Sequence, residues 1–149
     1  MAHRTTLSSI ERDFVHKQRV GRLATADENG SPYLIPVCYA FDGQRFYTPL
    51  DEKPKSVKGR QLRRVRNIEA RHEASLLIDK YEEDWSQLGY VLVYGHAALL
   101  EPKDALHQPA VQLLRERYSQ YLQMALELYP IIMLTPERIT AWGPALHNS

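Results

Sequence analysis

The sequence predicts a mainly β fold, a small barrel of six antiparallel strands with helices over its ends. Between residues 20 and 49, three short apolar segments are separated by Asp27-Glu28-Asn29-Gly30 and by Asp42-Gly43. Asn-Gly and Asp-Gly accept the positive φ angles of tight hairpin turns, so a three-stranded meander follows. The run 88–100 is apolar on both alternating faces, as in a strand with two buried sides. Helical spacing of apolar residues appears around 5–18, 57–68 and 104–128, between and outside the strand patterns.

Taken in order, residues 5–18 form a helix that Thr6 or Ser8 can cap, with Leu7, Ile10, Phe14 and Val15 as its apolar stripe. Strands at 20–25, 33–41 and 45–49 make the meander. Its last strand runs into Asp51-Glu52-Lys53-Pro54-Lys55-Ser56, which opens a basic stretch. From Lys53 to Arg71 there are eight Lys or Arg residues and one acid, Glu69. Val57, Leu62, Val65 and Ile68 place a short helix there, with Arg60, Arg63, Arg64 and Arg66 around its polar side and Pro54 just ahead of it. Residues 74–79 give a fourth strand, and 80–87 a polar loop carrying Glu82, Glu83, Asp84 and Trp85. In the long strand 88–100, Val91, Val93, Ala97 and Leu99 oppose Leu92, Tyr94, Ala98 and Leu100. One set fills the barrel and the other meets a helix or a second subunit. Gly95 suggests a bend. Asp104 can cap a helical stretch to about Leu128 with a break near Pro109. Residues 131–134 and 139–142 then supply a last strand pair or one kinked strand.

With 149 residues, 44% hydrophobic and 25% charged, the composition is that of one globular domain over 1–149. A net charge of +1 gives no global field toward nucleic acid or membrane. The basic helix is not accompanied by a helix-turn-helix pattern or a stacking platform, so no nucleic-acid partner is expected. A single cysteine, Cys38, excludes an internal disulfide and a Cys-based zinc site and fits a reducing compartment. No run reaches membrane-spanning length and the first residues lack a signal-peptide core, so a soluble cytoplasmic protein is expected. The six histidines do not fall at metal-ligand spacing, and His96 reads as an interface residue. No Ser-His-Asp set, G-x-S-x-G, P-loop or G-x-G-x-x-G occurs, so neither a catalytic side chain nor a metal site is assigned.

The binding candidates lie elsewhere. Lys53, Lys55, Ser56 and Lys58 follow a strand, where charge-assisted hydrogen bonds suit a phosphate; the alternative is a solvated basic turn. Pro36, Val37, Cys38 and Tyr39, with Tyr47, Thr48 and Pro49, either wall a planar ring or form plain barrel core. Cys38 reads as a small buried hydrophobe. Trp142 is either a stacking aromatic or a core or interface one. Trp85 is a surface anchor or a substrate contact.

These residues, in this order, resemble the pyridoxamine 5'-phosphate oxidase-like FMN-binding split barrels, and within them the branch that uses the deazaflavin coenzyme F420. Leu23-Ala24-Thr25, Gly30, Pro32 and Pro36-Val37 match the family's opening hairpin. Phe46-Tyr47-Thr48 followed by Lys53 and Lys55 is similar to the strand and loop that hold the cofactor phosphate. Leu134-Thr135-Pro136-Glu137-Arg138-Ile139, leading to Trp142, resembles the closing segment.

The resemblance implies a homodimer with a cofactor site at the subunit interface. Trp142 would approach a cofactor held mainly by the other subunit. Lys53, Lys55, Ser56 and Lys58 would take the phosphate, residues 36–39 and 47–49 the ring, and Arg60 or Arg63 the polyanionic tail of F420. The implied function is hydride transfer from F420 to an unsaturated or quinone-like small molecule. FMN is the alternative cofactor, and a non-catalytic flavin- or tetrapyrrole-binding module is the alternative of another class. No arginine follows Trp142 and no Arg-x-x-Leu-Leu-Lys motif is present, which argues against vitamin B6 oxidation. The missing acid/base constellation suits hydride transfer, in which the cofactor carries the difficult chemistry.

Overall fold

Two aspartates build the first turns in the same way. Asp27 Oδ1 accepts from the backbone N–H groups of Asn29 and Ser31, both at 2.9 Å, with Gly30 at φ 84°. Asp42 Oδ1 accepts from Gln44 and Arg45 at 2.8 and 2.7 Å, with Gly43 at φ 102°. They fold β1 (Gly21–Ala26) onto β2 (Pro32–Val37) and β3 (Ala40–Phe41) onto β4 (Phe46–Pro49). The remaining elements are α1 (Ser9–Lys17), α2 (Arg63–Arg71), β5 (Glu73–Lys80), β6 (Gly89–Leu100), α3 (His107–Arg117) and β7 (Ile131–Trp142). The computed structural model describes residues 3–50 and 62–147. Of the two candidate caps for α1, Ser8 is the one used, in a reciprocal box with Glu11.

All strands belong to one antiparallel sheet in the order β2-β1-β5-β6-β7-β4-β3. Among the described residues the count is seven strands, not six, because the segment 33–41 breaks at Cys38 and Tyr39. Its first half pairs with β1 and its second half with β4, so the two edges of the curled sheet are consecutive in the chain. The barrel is therefore split along this seam rather than closed. Side chains from α3 satisfy the backbone where the pairing stops. Tyr39 N–H donates to Tyr118 Oη, and the Tyr39 carbonyl accepts from Arg117 Nε at 2.9 Å. Arg117 also donates to the carbonyls of His16 and Gln18, at 2.9 and 2.7 Å, tying the end of α1 to the seam.

The inner face of the curl holds Leu23, Phe46, Leu76, Ile78, Val91, Val93, Ile132 and Leu134, closed by Phe14 and Val15 of α1 and Val65 and Ile68 of α2. A second cluster under α3 contains Tyr47, Leu100, Val111, Leu114, Tyr121 and Ile131. On β6 the set Val91, Val93 and Ala97 is fully buried, while Tyr90, Leu92, Tyr94 and Ala98 are only half-buried. The opposite face is covered by the same chain only at Leu100, which packs under α3; from Tyr90 to Ala98 it stays partly open.

Three further expectations change. The helical stretch predicted to end near Leu128 is α3 plus two short 3-10 turns, Ser119–Gln123 and Leu126–Leu128, and it breaks at Tyr118. Pro109 sits in the first turn of α3, where its missing N–H costs nothing. Asp104 does not cap α3; its carboxylate accepts from the Glu101 N–H at 2.7 Å. Arg64 is buried with Val65 and Ile68 instead of lying on the polar side of α2. The last strand is a single kinked β7. Tyr94 pairs with Arg138 and Gly95 with Pro136, leaving Glu137 as the extra residue of a bulge. A side chain at Gly95 would meet the Thr135 carbonyl at 2.0 Å, so only glycine permits this approach. Among the described residues no helix is long and apolar enough to cross a membrane.

Arg117→Ala is expected to lower stability by about 3 kcal/mol in urea denaturation, because three backbone carbonyls lose a charged donor. A loss below about 1 kcal/mol would contradict the role given to this side chain. His16 supplies a pH dependence. Burial, then the nearby Arg117 and Arg12 charges, push its pKa below the ordinary value of 6.5. The unfolded chain then binds a proton that the folded chain resists, so this contribution is complete above pH 6.5 and is lost as pH falls below it. The midpoint of thermal unfolding should fall less between pH 7 and 5 in His16→Gln than in the parent chain.

Candidate cofactor site

Two hollows adjoin the elements that carry the candidate residues. The first lies between α2 and the β1–β2 turn, with a volume of about 270 Å³, lined by Asp27, Glu28, Arg63, Arg66, Asn67 and Ala70. Burial of Val65 and Ile68 turns Arg63, Arg66 and Ala70 outward. Asn67 is itself buried and donates through Nδ2 to Thr25 Oγ1 at 3.0 Å, fixing the helix on β1. The Arg63 guanidinium lies 5.4 Å from the centre of the Tyr33 ring. Two guanidinium groups therefore face two carboxylates, of which Asp27 already accepts two turn N–H groups.

The second hollow is an open groove of about 440 Å³ beside the seam, lined by Arg19, Val20, Cys38, Tyr118, Gln120, Tyr121 and Met124. Arg19 donates to the Arg117 carbonyl, with its guanidinium 4.6 Å from the Tyr118 ring centre. Cys38 is half-buried at the rim of this groove, less enclosed than its sequence context predicts.

The structure divides the predicted ring-binding residues. Pro36 is exposed and Cys38 half-exposed, whereas Val37, Tyr39, Tyr47, Thr48 and Pro49 are buried within the chain. Tyr47 donates to Asp42 Oδ2 at 2.6 Å. Burial and then this bond raise the Tyr47 pKa, so the phenol keeps its proton at neutral pH. Burial opposes ionisation of Asp42, yet the Tyr47 hydroxyl and the N–H groups of Arg45 and Gln44 outweigh it and hold that carboxyl below its usual range. The Tyr39 phenol is raised chiefly by burial and donates to the Val15 carbonyl at 2.6 Å. Neither tyrosine is set up to trade protons with a ligand. Lys53, Lys55, Ser56, Lys58 and Arg60 lie outside the described residues.

Trp142 is half-exposed on the outer face of β7 and stacks on Tyr90, with ring centres 6.0 Å apart. It lies level with Tyr90 and Asp79, whereas Tyr33 under Arg63 is level with Thr25 and hence with Ala74. Five residues along β5 separate these levels, roughly 16 Å at about 3.3 Å per residue. One chain therefore does not bring Trp142 to the Arg63 hollow. Tyr33, Asn67, Arg19 and Tyr118 join these hollows without being among the residues that the sequence predicts for a site. Asn67, one helical turn beyond Arg63 amid arginines, was the one locally visible signal.

Thr48 Oγ1 is buried without a hydrogen-bond partner among the described residues and borders an interior void of about 10 Å³ among Leu23, Phe46, Leu76, Ile132 and Leu134. Thr48→Val should leave stability unchanged or raise it by up to about 1 kcal/mol in urea denaturation, since no bond is lost and a desolvated hydroxyl is removed. A loss larger than about 1 kcal/mol would reveal a partner for the hydroxyl.

Several solved structures share this fold. A conserved hypothetical protein of Mycobacterium tuberculosis is 25% identical with a TM-score of 0.71, covering 100% of this chain and 96% of the other. The heme storage protein HutZ of Vibrio cholerae is 16% identical with a TM-score of 0.68, covering 93% and 94%. An FAD-binding protein of Mesorhizobium loti is 22% identical with a TM-score of 0.68, covering 91% and 93%. No curated protein is similar enough in sequence to match the chain. The family model described as pyridoxamine 5'-phosphate oxidase matches residues 11–143, nearly the whole of the split barrel from α1 to the end of β7. The chain therefore belongs to the pyridoxamine 5'-phosphate oxidase family.

Proposed function

We propose that the chain is an oxidoreductase that binds a dissociable deazaflavin, coenzyme F420, at the interface of a homodimer. The bound cofactor would supply a hydride to an unsaturated or quinone-like small molecule. The observation that carries this reading is the division of the candidate residues between the two ends of the sheet. In one chain Arg63 and Trp142 stand at opposite ends of the sheet, so this reading takes them from different copies that meet around one ligand. The outer sheet face, with Leu34 exposed and Leu92, Tyr94 and Trp142 partly so, offers a surface for such a second copy.

In this reading Lys53 and Lys55, with Ser56 and Lys58, hold the phosphate by charge-assisted hydrogen bonds. Pro36, Cys38 and the backbone of 37–39 and 47–49 bed the ring, because the side chains of Val37, Tyr39, Tyr47 and Thr48 are occupied in the core. Arg63, with Arg60, receives the carboxylates of the tail. FMN ends at its phosphate and would leave the Arg63 hollow unused, which favours the longer cofactor. The chain's own work is to orient the ring and exclude water around it. A non-catalytic binding module is the second reading. It draws support from similarly folded chains described as heme storage and heme-binding proteins.

Fluorescence titration with F420 and with FMN, each followed by an assay of acceptor reduction, tests the proposal. F420 should bind more tightly than FMN, with an affinity that falls as salt rises. Lys53→Ala combined with Lys55→Ala should weaken F420 at least about tenfold without moving the unfolding midpoint. Unchanged affinity in that double variant sinks the phosphate assignment. Tight binding with no turnover of any acceptor supports the binding module instead.

A further inference from the structure

Two histidines that the cofactor reading leaves unused meet on the surface. His72 ends α2 with φ 56° and ψ 34°, the one non-glycine residue at positive φ among the described residues. Its carbonyl accepts from the Ala97 N–H at 3.0 Å, which locks it against β6. His96 is exposed on β6, past the bulge and level with Glu73 and Thr135. Although 24 positions separate them in sequence, their imidazole rings lie 5.8 Å apart at 10° between planes. Glu73 does not serve as their partner. Its carboxylate accepts from Tyr94 Oη at 2.8 Å and Arg71 Nε at 3.1 Å, and these bonds hold its pKa below the usual range.

The left-handed backbone disfavours a residue with a Cβ, and glycine or asparagine is the ordinary occupant of a helix C-terminus of this shape. Histidine here directs a second imidazole at His96. The geometry points to a two-imidazole site for a divalent late first-row transition ion, Cu²⁺, Ni²⁺ or Zn²⁺, with water completing its coordination. A metal about 2.0–2.1 Å from a ring nitrogen lies roughly 3.2 Å from the ring centre, so two bound rings have centres about 4.5–6.4 Å apart. The separation of 5.8 Å falls inside that window. The rings stack with near-parallel planes, so ligation requires them to turn about the broad χ2 torsion until a nitrogen of each faces the ion, a turn that leaves the ring centres nearly in place. Imidazole donors select these ions over Mg²⁺ or Ca²⁺, and two protein ligands make the site exchangeable. A bound ion would pin the end of α2 to β6. That helix also carries Arg63 and Arg66, so occupancy would stiffen one wall of the α2 hollow.

The test is a titration of the full chain with Cu²⁺, followed by electron paramagnetic resonance and thermal unfolding. His3→Ala is present throughout, to remove a competing histidine near the amino terminus. One saturable Cu²⁺ per chain is expected, with a spectrum showing two nitrogen ligands and an upward shift of the unfolding midpoint. His96→Ala and His72→Asn should each cut the spectrum to one nitrogen and abolish the shift. Asparagine tolerates the left-handed backbone, so His72→Asn keeps the fold, and metal-free unfolding midpoints verify this for both variants. Two-nitrogen ligation surviving in either variant, or no saturable binding in the parent, overturns the assignment.

Discussion

The Arg117 guanidinium holds the fold at its weakest point. A strand that stops pairing in mid-sheet leaves N–H and C=O groups that must find other partners. At Tyr39 those partners are Arg117 and Tyr118, from the end of α3. The same guanidinium takes the His16 and Gln18 carbonyls and lies 5.0 and 5.2 Å from the Tyr39 and Tyr118 ring centres. It meets carbonyl oxygens, the Tyr118 hydroxyl and aromatic faces, which its planar fork of donors reaches together and a lysine ammonium could not. Through this one side chain α1, the split seam and α3 become a single packed unit.

The split has a consequence for binding. A closed barrel would present no break between strands, whereas here Cys38 borders an open groove beside the seam. The segments that carry the proposed binding residues, α2 and the outer end of β7, stand at different ends of the sheet. The face between them is only partly covered by the chain itself. The proposed site between two copies would reconcile these facts, and it would ask little of catalytic side chains. The phenols of Tyr39 and Tyr47 are buried and held protonated, so orientation and dryness are what the interior can contribute.

Local chemistry was legible in the sequence wherever its cause lies within a few residues. Asn29-Gly30 and Asp42-Gly43 specify their turns by backbone freedom and by an aspartate two positions from the N–H it accepts. Ser8 and Glu11 specify the start of α1. The apolar runs of β5 and β6 specify strands, and the order of motifs from Leu23 to Trp142 was enough to indicate the family that residues 11–143 match. Alternation marks two faces of a strand, but not which one the rest of the chain will cover.

That choice belonged to the tertiary structure. The break at Cys38–Tyr39 depends on Tyr118, 79 positions away, so no window around residue 38 could reveal it. The bulge opposite Gly95 follows from the register of β6 on β7, and the burial of Arg64 from how α2 settles on β1. The same holds for the inward turn of Thr48 and the meeting of His72 with His96. The sequence by itself determined which segments are strands, which turns join them and which family they make. Only long-range packing decided where the barrel splits and which side chains remain free for a ligand, because those outcomes depend on partners far apart along the chain.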